Sequence, residues 1–448
     1  MEYGEFIPDH LNHVPIIPIN PENVKILSTP REFYRELMKK IESAQHRITL
    51  TSLYIGDSGL EEDMINLIDK KVNVTENPVK CLILIDKNRG RRKPHSERNF
   101  QLTRIIHILT KYNRNPENFS VYFHNNGRIK NYHKYLLCKR VVELIGVMHM
   151  KVYIIDDSVI ISGANLGATY FKNRQDRYYV FENEKILADL YNNVVCLFKK
   201  ISFKLNKINR LEPCSREGIL TDFISTCRDC KAKIKKSNRD FNTHVIPTFN
   251  IPDQLIHDDN DILDQILTNT NDYQMFFSTG YFNPTPSITY HLITRRHNST
   301  LLIPSQEANG FYGARGLSKY APIIYDSLLH AFLKQIPSNF YPKMSVYQYY
   351  RKNWTFHAKG LWLYKSNIQS DICITSIGSS NYGYRSNQRD IESQVYLFTK
   401  DKSLMQNIDK ERLLLFNFAQ NKIIRNNSSL INTTKCFTII SKYLKTLL

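Results

Sequence analysis

Residues 149–165 read HMKVYIIDDSVIISGAN, and residues 357–381 read HAKGLWLYKSNIQSDICITSIGSSN. Each stretch opens on His-x-Lys, continues as an apolar, strand-like run and closes on a small-residue turn ending in Asn. That turn is Gly163-Ala164-Asn165 in the first copy and Gly378-Ser379-Ser380-Asn381 in the second. Eleven residues beyond each Asn stands a carboxylate, Asp176 or Glu392, followed by an apolar strand that ends near Phe181 or Phe398. One His-x-Lys is a common tripeptide and carries little. Two copies with the same sequel, about one domain's length of chain apart, mark an internal duplication.

His and Lys two apart on a strand face the same side, so each copy delivers an imidazole and an ammonium group to one surface. Packing of the halves about a pseudo-twofold axis would set His149 and Lys151 opposite His357 and Lys359. That arrangement suits phosphoryl transfer on a diester. One imidazole attacks phosphorus and the other protonates the leaving oxygen, then deprotonates the acceptor hydroxyl. A pKa near 6.5 lets histidine take either part. Lys151, Lys359, Asn165 and Asn381 would donate to the phosphoryl oxygens as charge builds. Four fixed donors could replace a metal ion, and no cofactor is expected. Asp176 and Glu392 are placed to hold a histidine ring in the useful tautomer.

Outward from the motifs, residues 31–47 (REFYRELMKKIESAQHR) place Phe33, Leu37, Ile41 and Ala44 at helical spacing before the strand ITLTSLYIG. KCLILIDKN, NFSVYFHN and VYIID read as further strands, with a helix over QLTRIIHILTKY. YQMFFSTGYF, STLLIPS, FHAKGLWLY and DICITSIGSS repeat the style, with APIIYDSLLHAFLKQI a helix among them. This alternation predicts an α/β layered architecture. The segment between, rich in Lys, Asn and Pro, reads as a boundary, giving an N-terminal domain over 1–202, a basic linker region over 203–260 and a C-terminal domain over 261–448.

The 448 residues are 42% hydrophobic and 23% charged, which excludes disorder for most of the chain. A net charge of +19 calls for an anionic partner: nucleic acid, a phospholipid surface or a phosphorylated substrate. Eight scattered cysteines and no apolar signal core suggest a reduced compartment. Cys227-x-x-Cys230 lacks a second pair at zinc-finger spacing and reads as free thiols in the linker. No run of about 18 apolar residues predicts a spanning helix. The acidic, Pro-rich start is unlike an Arg- and Ser-rich transit peptide.

These motifs resemble the phospholipase D superfamily, whose signature is H-x-K-x(4)-D followed by G-S-x-N. His149, Lys151 and Asp156 match at the right spacing, although Ala164 replaces the Ser and Asn165 comes one residue early. The second copy keeps His357, Lys359 and Gly378-Ser379-Ser380-Asn381, with Tyr364 where the Asp would stand. Blocks such as HMKVYIIDDSVIISGANL, YFKNRQDRYYVF, EANGFYGARG and GSSNYGYRSNQRDIESQ are similar to the eukaryotic phosphatidylglycerophosphate synthase branch, over roughly residues 50–398. The resemblance implies two phospholipase D-like α/β/α sandwich domains related by pseudo-twofold symmetry, one motif from each. It implies transfer of a phosphatidyl group from CDP-diacylglycerol to glycerol 3-phosphate, with release of CMP. It also implies the matrix side of the inner mitochondrial membrane. His149 is assigned as nucleophile and His357 as acid and base, although the pseudo-symmetry permits the reverse. Asp156 belongs to the signature, but its loss at Tyr364 opens a structural role.

A transferase must favour its phosphorylated acceptor over water, and Arg binds phosphate through two donors at once. Arg174 and Arg177 flank Asp176, and Arg385 and Arg389 lie between Asn381 and Glu392. Arg89, Arg91, Arg92 and Arg315 complete the candidates, with the Gly310 and Gly313 loop offering backbone N–H groups. Tyr281, Phe282, Phe311, Tyr312, Trp354 and Phe356 are candidates to receive acyl chains or cytosine, or to pack the core. The C-terminal CFTIISKYLKTLL is basic and amphipathic, suited to an anionic membrane surface or to docking on the fold. A hydrolase of the same superfamily, a nuclease included, would share the paired motifs. The acceptor-side arginines and the branch-specific blocks favour a lipid substrate and no nucleic acid, and leave the oligomeric state open.

Overall fold

The computed structural model describes residues 3–74, 76–90, 117–129, 143, 145–206, 210–214, 218–337, 343–365 and 372–423. Two sheets organise the chain. The first has the order β11 (Leu211–Pro213), β10 (Phe203–Leu205), β5 (Phe119–His124), β4 (Lys80–Asp86), β3 (Arg47–Ser52), β6 (Val152–Ile155), β7 (Ser158–Ser162), β9 (Tyr178–Phe181), β2 (Val24–Leu27). The second runs β1 (Ile17–Pro18), β12 (Thr243–Ile251), β20 (Glu392–Thr399), β19 (Cys373–Gly378), β18 (Gly360–Lys365), β14 (Tyr273–Ser278), β15 (Ser299–Pro304), β16 (Met344–Tyr349), β21 (Ala419–Ile423), with β13 (Ile256–His257) paired to β12. A two-stranded ribbon of β8 (Arg174–Gln175) and β17 (Thr355–Phe356) joins the halves.

The duplication in the motifs is a duplication of topology. From β10 to β2, and again from β21 to β12, the neighbours follow the same sequence of senses. β5–β4–β3 and β16–β15–β14 are parallel, and every other neighbouring pair along these paths is antiparallel. In both copies the His-x-Lys tripeptide lies just before a strand, β6 or β18.

The strands read as continuous apolar runs because both faces are covered. Val152 and Ile154 of β6 face a central core while Tyr153 and Ile155 face an outer one; Trp362 and Tyr364 of β18 face the same central core while Leu361 and Leu363 face a second outer one. Helices α1 (Pro30–Ser43) and α2 (Gly59–Val72) cover the outer face of the first sheet. The short α3 (Ala168–Lys172) follows the first Asn turn. Between the sheets lie α4 (Lys185–Ile201) and α5 (Leu220–Ser237). On the outer face of the second sheet are α6 (Asp258–Asn269), α7 (Pro286–Ile293) and α8 (Ala321–Gln335). α9 (Tyr384–Gln388) follows the second Asn turn, and α10 (Lys402–Phe416) returns to the central layer. Local signals set the helix starts. The Thr29 hydroxyl accepts from the Glu32 amide at 3.2 Å, with Pro30 in the first helical position, and Asp401 caps α10 through the Leu404 amide at 2.8 Å. Among the described residues no helix is long and apolar enough to cross a membrane.

Several expectations need correction. Residues 203–260 form no loose linker: they supply β10, β11, the 18-residue helix α5, β12 and the start of α6. Residues 3–19 belong with the second half, since β1 pairs with β12, and Phe6, Leu11 and Val14 are buried in the second outer core. Cys227 and Cys230 are free thiols on the buried face of α5, where burial pushes both thiols up. The helix expected over QLTRIIHILTKY, Arg91, Arg92 and the CFTIISKYLKTLL segment lie outside the described residues.

Asp156 is a residue of the fold. It occupies the β6–β7 turn at φ 51°, and its carboxylate accepts from the amides of Gln45 (2.8 Å), His46 (2.8 Å) and Arg47 (3.0 Å), pinning the entry to β3. Tyr364, its counterpart, is still inside β18, so no turn there needs a carboxylate. Arg177 is likewise structural. Fully buried, it donates to both Glu411 oxygens (2.7 and 2.8 Å) and to the Ser376 carbonyl at 2.5 Å, tying the first sheet to α10 and β19. Its guanidinium passes over Gly360, where any Cβ would collide with it.

Removing one partner of a buried pair leaves the other charge uncompensated, at a cost of roughly 3–5 kcal/mol. Arg177→Met should therefore lower the melting temperature sharply, and adding Glu411→Leu should restore most of the loss. Thermal unfolding of the two variants measures this; equal melting temperatures for Arg177→Met and the wild type would exclude the clamp.

Candidate active site

The ribbon and one isolated bridge place the histidines. Phe356 stands opposite Gln175 in parallel register, so the next residues along the two chains, His357 and Asp176, meet: Nδ1 lies 2.7 Å from Oδ2. A parallel bridge joins Met148 to Ile391, and the next residues there, His149 and Glu392, meet at 2.9 Å. The His357 amide donates to the Gln175 carbonyl at 2.8 Å, and the His149 amide to the Ile391 carbonyl at 2.9 Å. Each ring is thus oriented by the carboxylate of the opposite half. With Nδ1 held by an anion, Nε2 is the nitrogen left for chemistry.

Lys359 Nζ lies 2.7 Å from His357 Nδ1 and 3.7 Å from Asp176 Oδ2. Nδ1 cannot donate to Asp176 and accept from Lys359 at once; the buried carboxylate, acceptor-only when ionised, is the partner for its proton. Lys151 Nζ donates to the His149 carbonyl at 2.5 Å. Asn165 is buried, its carboxamide oxygen 3.3 Å from both the Ser52 hydroxyl and the Leu53 amide. Among the described residues the buried Asn381 carboxamide oxygen has no hydrogen-bond partner, while its backbone is held by Ser386 and Thr279.

Both imidazoles are pushed well below their ordinary range, first by burial and then by cations: Lys151 is foremost at His149, Lys359 and then Arg174 at His357. Lys359 acts on both rings, and His149 acts on His357, so the two pairs belong to one electrostatic centre. Burial also pushes Lys151 well down and Lys359 down to about 8. It raises Glu392, and raises Asp176 to about 6 against the pull of Lys359. Burial and the neighbouring cations favour the uncharged ring, the state an attacking nitrogen requires.

The arginine candidates separate. Arg174 stands at the centre: Nε donates to the Thr355 hydroxyl (3.0 Å), Nη1 to the Tyr170 hydroxyl (3.1 Å), and its charge bears on His357. Arg385 bonds Asp390 (2.8 Å) and the Glu143 carbonyl (2.8 Å) and bears on His149. Arg389 is half-buried beside it, lowered by burial and by Arg385. Arg89 reaches Glu143 at 3.4 Å and lies 5.3 Å from the Tyr54 ring centre. Arg315 is exposed. The loop carrying it approaches through Gly310, where a Cβ would stand 2.8 Å from the Tyr281 hydroxyl and 3.1 Å from the Arg174 guanidinium.

Of the aromatic candidates, Tyr281 packs edge-on to His357 at 5.7 Å, whereas Phe282 and Phe356 belong to the cores. The sequence reading missed Tyr170. It is buried, edge-on to His357 at 5.3 Å, with its hydroxyl 3.5 Å from Nε2. Its position close before Arg174 and Asp176 in the sequence was the available signal.

His149, Asp390 and Glu392 place potential metal-ligating atoms within 4.8 Å of one another. Glu392 is engaged by the His149 ring, and the Asp390 oxygens accept from the Val147 amide and Arg385 Nε, both at 2.9 Å or less. With Lys151, Lys359 and Arg385 also bearing on His149, this cluster is electrostatically complete without a cation.

A profile described as "Cardiolipin synthase, PLD-like domain" matches residues 37–196. A Gallus gallus protein named "CDP-diacylglycerol--glycerol-3-phosphate 3-phosphatidyltransferase, mitochondrial" is 30% identical over 453 residues, covering 90% of this chain and 80% of that one. The Homo sapiens protein of the same name is 29% identical over 447 residues, covering 90% and 79%. The crystal structure of phosphatidylserine synthase from Haemophilus influenzae superposes with a TM-score of 0.74 over 98% of both chains at 18% identity, which places the fold among phospholipase D-like proteins. The chain belongs to the CDP-diacylglycerol–glycerol-3-phosphate 3-phosphatidyltransferase family.

With Lys359 depressed from 10.5 to about 8, its ammonium is present below that pH and lost above it. kcat/KM should therefore fall as pH rises through about 8, and Lys359→Arg, whose charge persists, should remove that fall. A profile flat to pH 10 in the wild-type enzyme would exclude the ammonium as a required donor.

Proposed function

We propose that this protein transfers the phosphatidyl group of CDP-diacylglycerol to glycerol 3-phosphate, giving phosphatidylglycerophosphate and CMP, in phosphatidylglycerol and cardiolipin biosynthesis. The observation that carries the reading is the pair of cross-half contacts, His149–Glu392 and His357–Asp176, in a chain whose relatives bear that enzyme's name.

His149 Nε2 attacks the phosphatidyl phosphorus. The P–N bond forms as the P–O bond to CMP breaks, and His357, protonated on Nε2 as well as on Nδ1 for this step, supplies the Nε2 proton to the departing oxygen. The acceptor hydroxyl then attacks the phosphohistidine, His357 takes its proton, and the P–N bond breaks. Glu392 and Asp176 hold each Nδ1–H through both steps. Lys151, Lys359, Asn165 and Asn381 donate to the phosphoryl oxygens in a dry site, where such donors act most strongly. Arg174, with Arg385, Arg389, Arg89 and Arg315, is the cationic group for the acceptor phosphate and the nucleotide. The relatives' names carry the word mitochondrial, and this chain is assigned to the mitochondrion, on the matrix side of the inner membrane, as a peripheral protein on an anionic surface.

CMP release from CDP-diacylglycerol should depend on glycerol 3-phosphate. Release that ignores the acceptor and yields phosphatidic acid would make the enzyme a hydrolase. His149→Ala and His357→Ala should each lower kcat by roughly 10⁴- to 10⁶-fold, the scale of losing a nucleophile or its base. Acid-labile label from a phosphatidyl-labelled donor should remain on His357→Ala and be absent from His149→Ala.

A further inference from the structure

A second cationic feature lies on the flank of the site and takes no part in the chemistry above. The start of α1, the end of α3 and the segment before β17 enclose an open groove of about 830 Å³ at the junction of the two halves. Its floor is apolar: Leu60, Phe171 and the rings of Tyr34 and Trp354. Its rim carries four cations, Arg31, Arg35, Lys172 and Arg351, and no carboxylate lines it. Arg31, Arg35 and Lys172 are exposed, and among the described residues none of the three has an ion pair. Arg351 lies between the rings of Trp354 and Phe418, 3.6 and 4.6 Å from their centroids. Glu32, the acid nearest in sequence, is engaged by the Ser28 amide at 2.9 Å.

Uncompensated cations over an apolar floor, edged by Trp and Tyr, are the chemistry of a bilayer interface. Phosphates meet the charges, the glycerol and upper acyl region meets the rings, and Trp and Tyr sit at the boundary. The groove is joined to the centre by a few residues of chain: Phe171 and Lys172 follow Tyr170, Asn173 precedes Arg174, and Trp354 precedes β17, directly after which comes His357. A surface seated there would lie within a few residues of chain of Tyr170, Arg174 and His357.

We propose that this groove docks the protein on anionic phospholipid headgroups and so sets the opening of the centre against the bilayer. The inference rests on the lipid-linked substrate proposed above, but the groove's chemistry is testable without turnover.

The test is co-sedimentation of the full chain with vesicles of phosphatidylcholine, with and without phosphatidylglycerol. Binding should require phosphatidylglycerol and weaken steeply with salt. The variant Arg31→Gln/Arg35→Gln/Lys172→Gln should partition at least about tenfold less, since each cation near an anionic surface contributes on the order of 1 kcal/mol. The same variant should keep its kcat on CDP-diacylglycerol dispersed in detergent micelles, which also shows that it is folded. Unchanged partitioning of the variant would overturn the proposal. Displacement of the wild type by millimolar inorganic phosphate at constant ionic strength would overturn it too, in favour of a soluble phosphate site. Vesicle binding that needs the three cations in a protein without phosphatidyl transfer would sustain the docking surface and sink the proposed reaction instead.

Discussion

Everything in the centre depends on two short parallel contacts between the halves, Phe356 against Gln175 and Met148 against Ile391. Each sets a backbone register, and one residue further along the register brings an imidazole onto a carboxylate. The contacts are only one or two residues long, too short to be stable alone. They are held because both sheets share one central core, into which β6, β7 and β9 of the first half and β18, β19 and β20 of the second all pack. A sheet that slid by one residue would turn its histidine to the other face. The shared core is therefore what fixes the chemistry.

Burying two imidazoles, two ammonium groups and two carboxylates together is costly unless each charge has a partner. The arrangement meets this by alternation: an anion behind each ring, a cation beside each anion, and neutral rings between them. Further out, the Arg177 guanidinium is paired with Glu411, while the Arg177 amide donates to the Asp176 carboxylate at 2.9 Å and so helps hold it in place. The same residue type thus serves two ends. Arg174 keeps a hydroxyl partner and stays available to an anion, while Arg177 is saturated.

The two-sandwich architecture was legible because strands buried on both faces leave unbroken apolar runs, and because the motifs repeat. The His-Lys pairs and both carboxylates were legible for the same reason. Which carboxylate serves which histidine was not, since pairing across halves is a property of packing that spacing within a half does not encode. Arg177 could have been separated from Arg174: in extended chain the residue after Asp176 points away from whatever Asp176 faces. Helix α5 was hidden in a Lys-rich segment whose buried face is Phe223, Cys227 and Cys230, a helical period carried by one aromatic and two cysteines. Nothing local ties residues 3–19 to the second half, because that contact is made by pairing with β12 far along the chain.

The halves match in topology yet differ around the reacting nitrogens. His357 has a tyrosine hydroxyl 3.5 Å from Nε2 and a side chain only 4% exposed, with Lys359 against its ring. His149 is 11% exposed; both Glu392 oxygens meet its Nδ1, and its lysine is turned to its own carbonyl. A nucleophile needs an unobstructed lone pair aimed at phosphorus, whereas an acid and base gains from polar neighbours that pass or receive its proton. The more exposed side chain of His149 suits the first requirement. The hydroxyl-flanked, cation-backed Nε2 of His357 suits the second, so the departure from symmetry favours attack by His149.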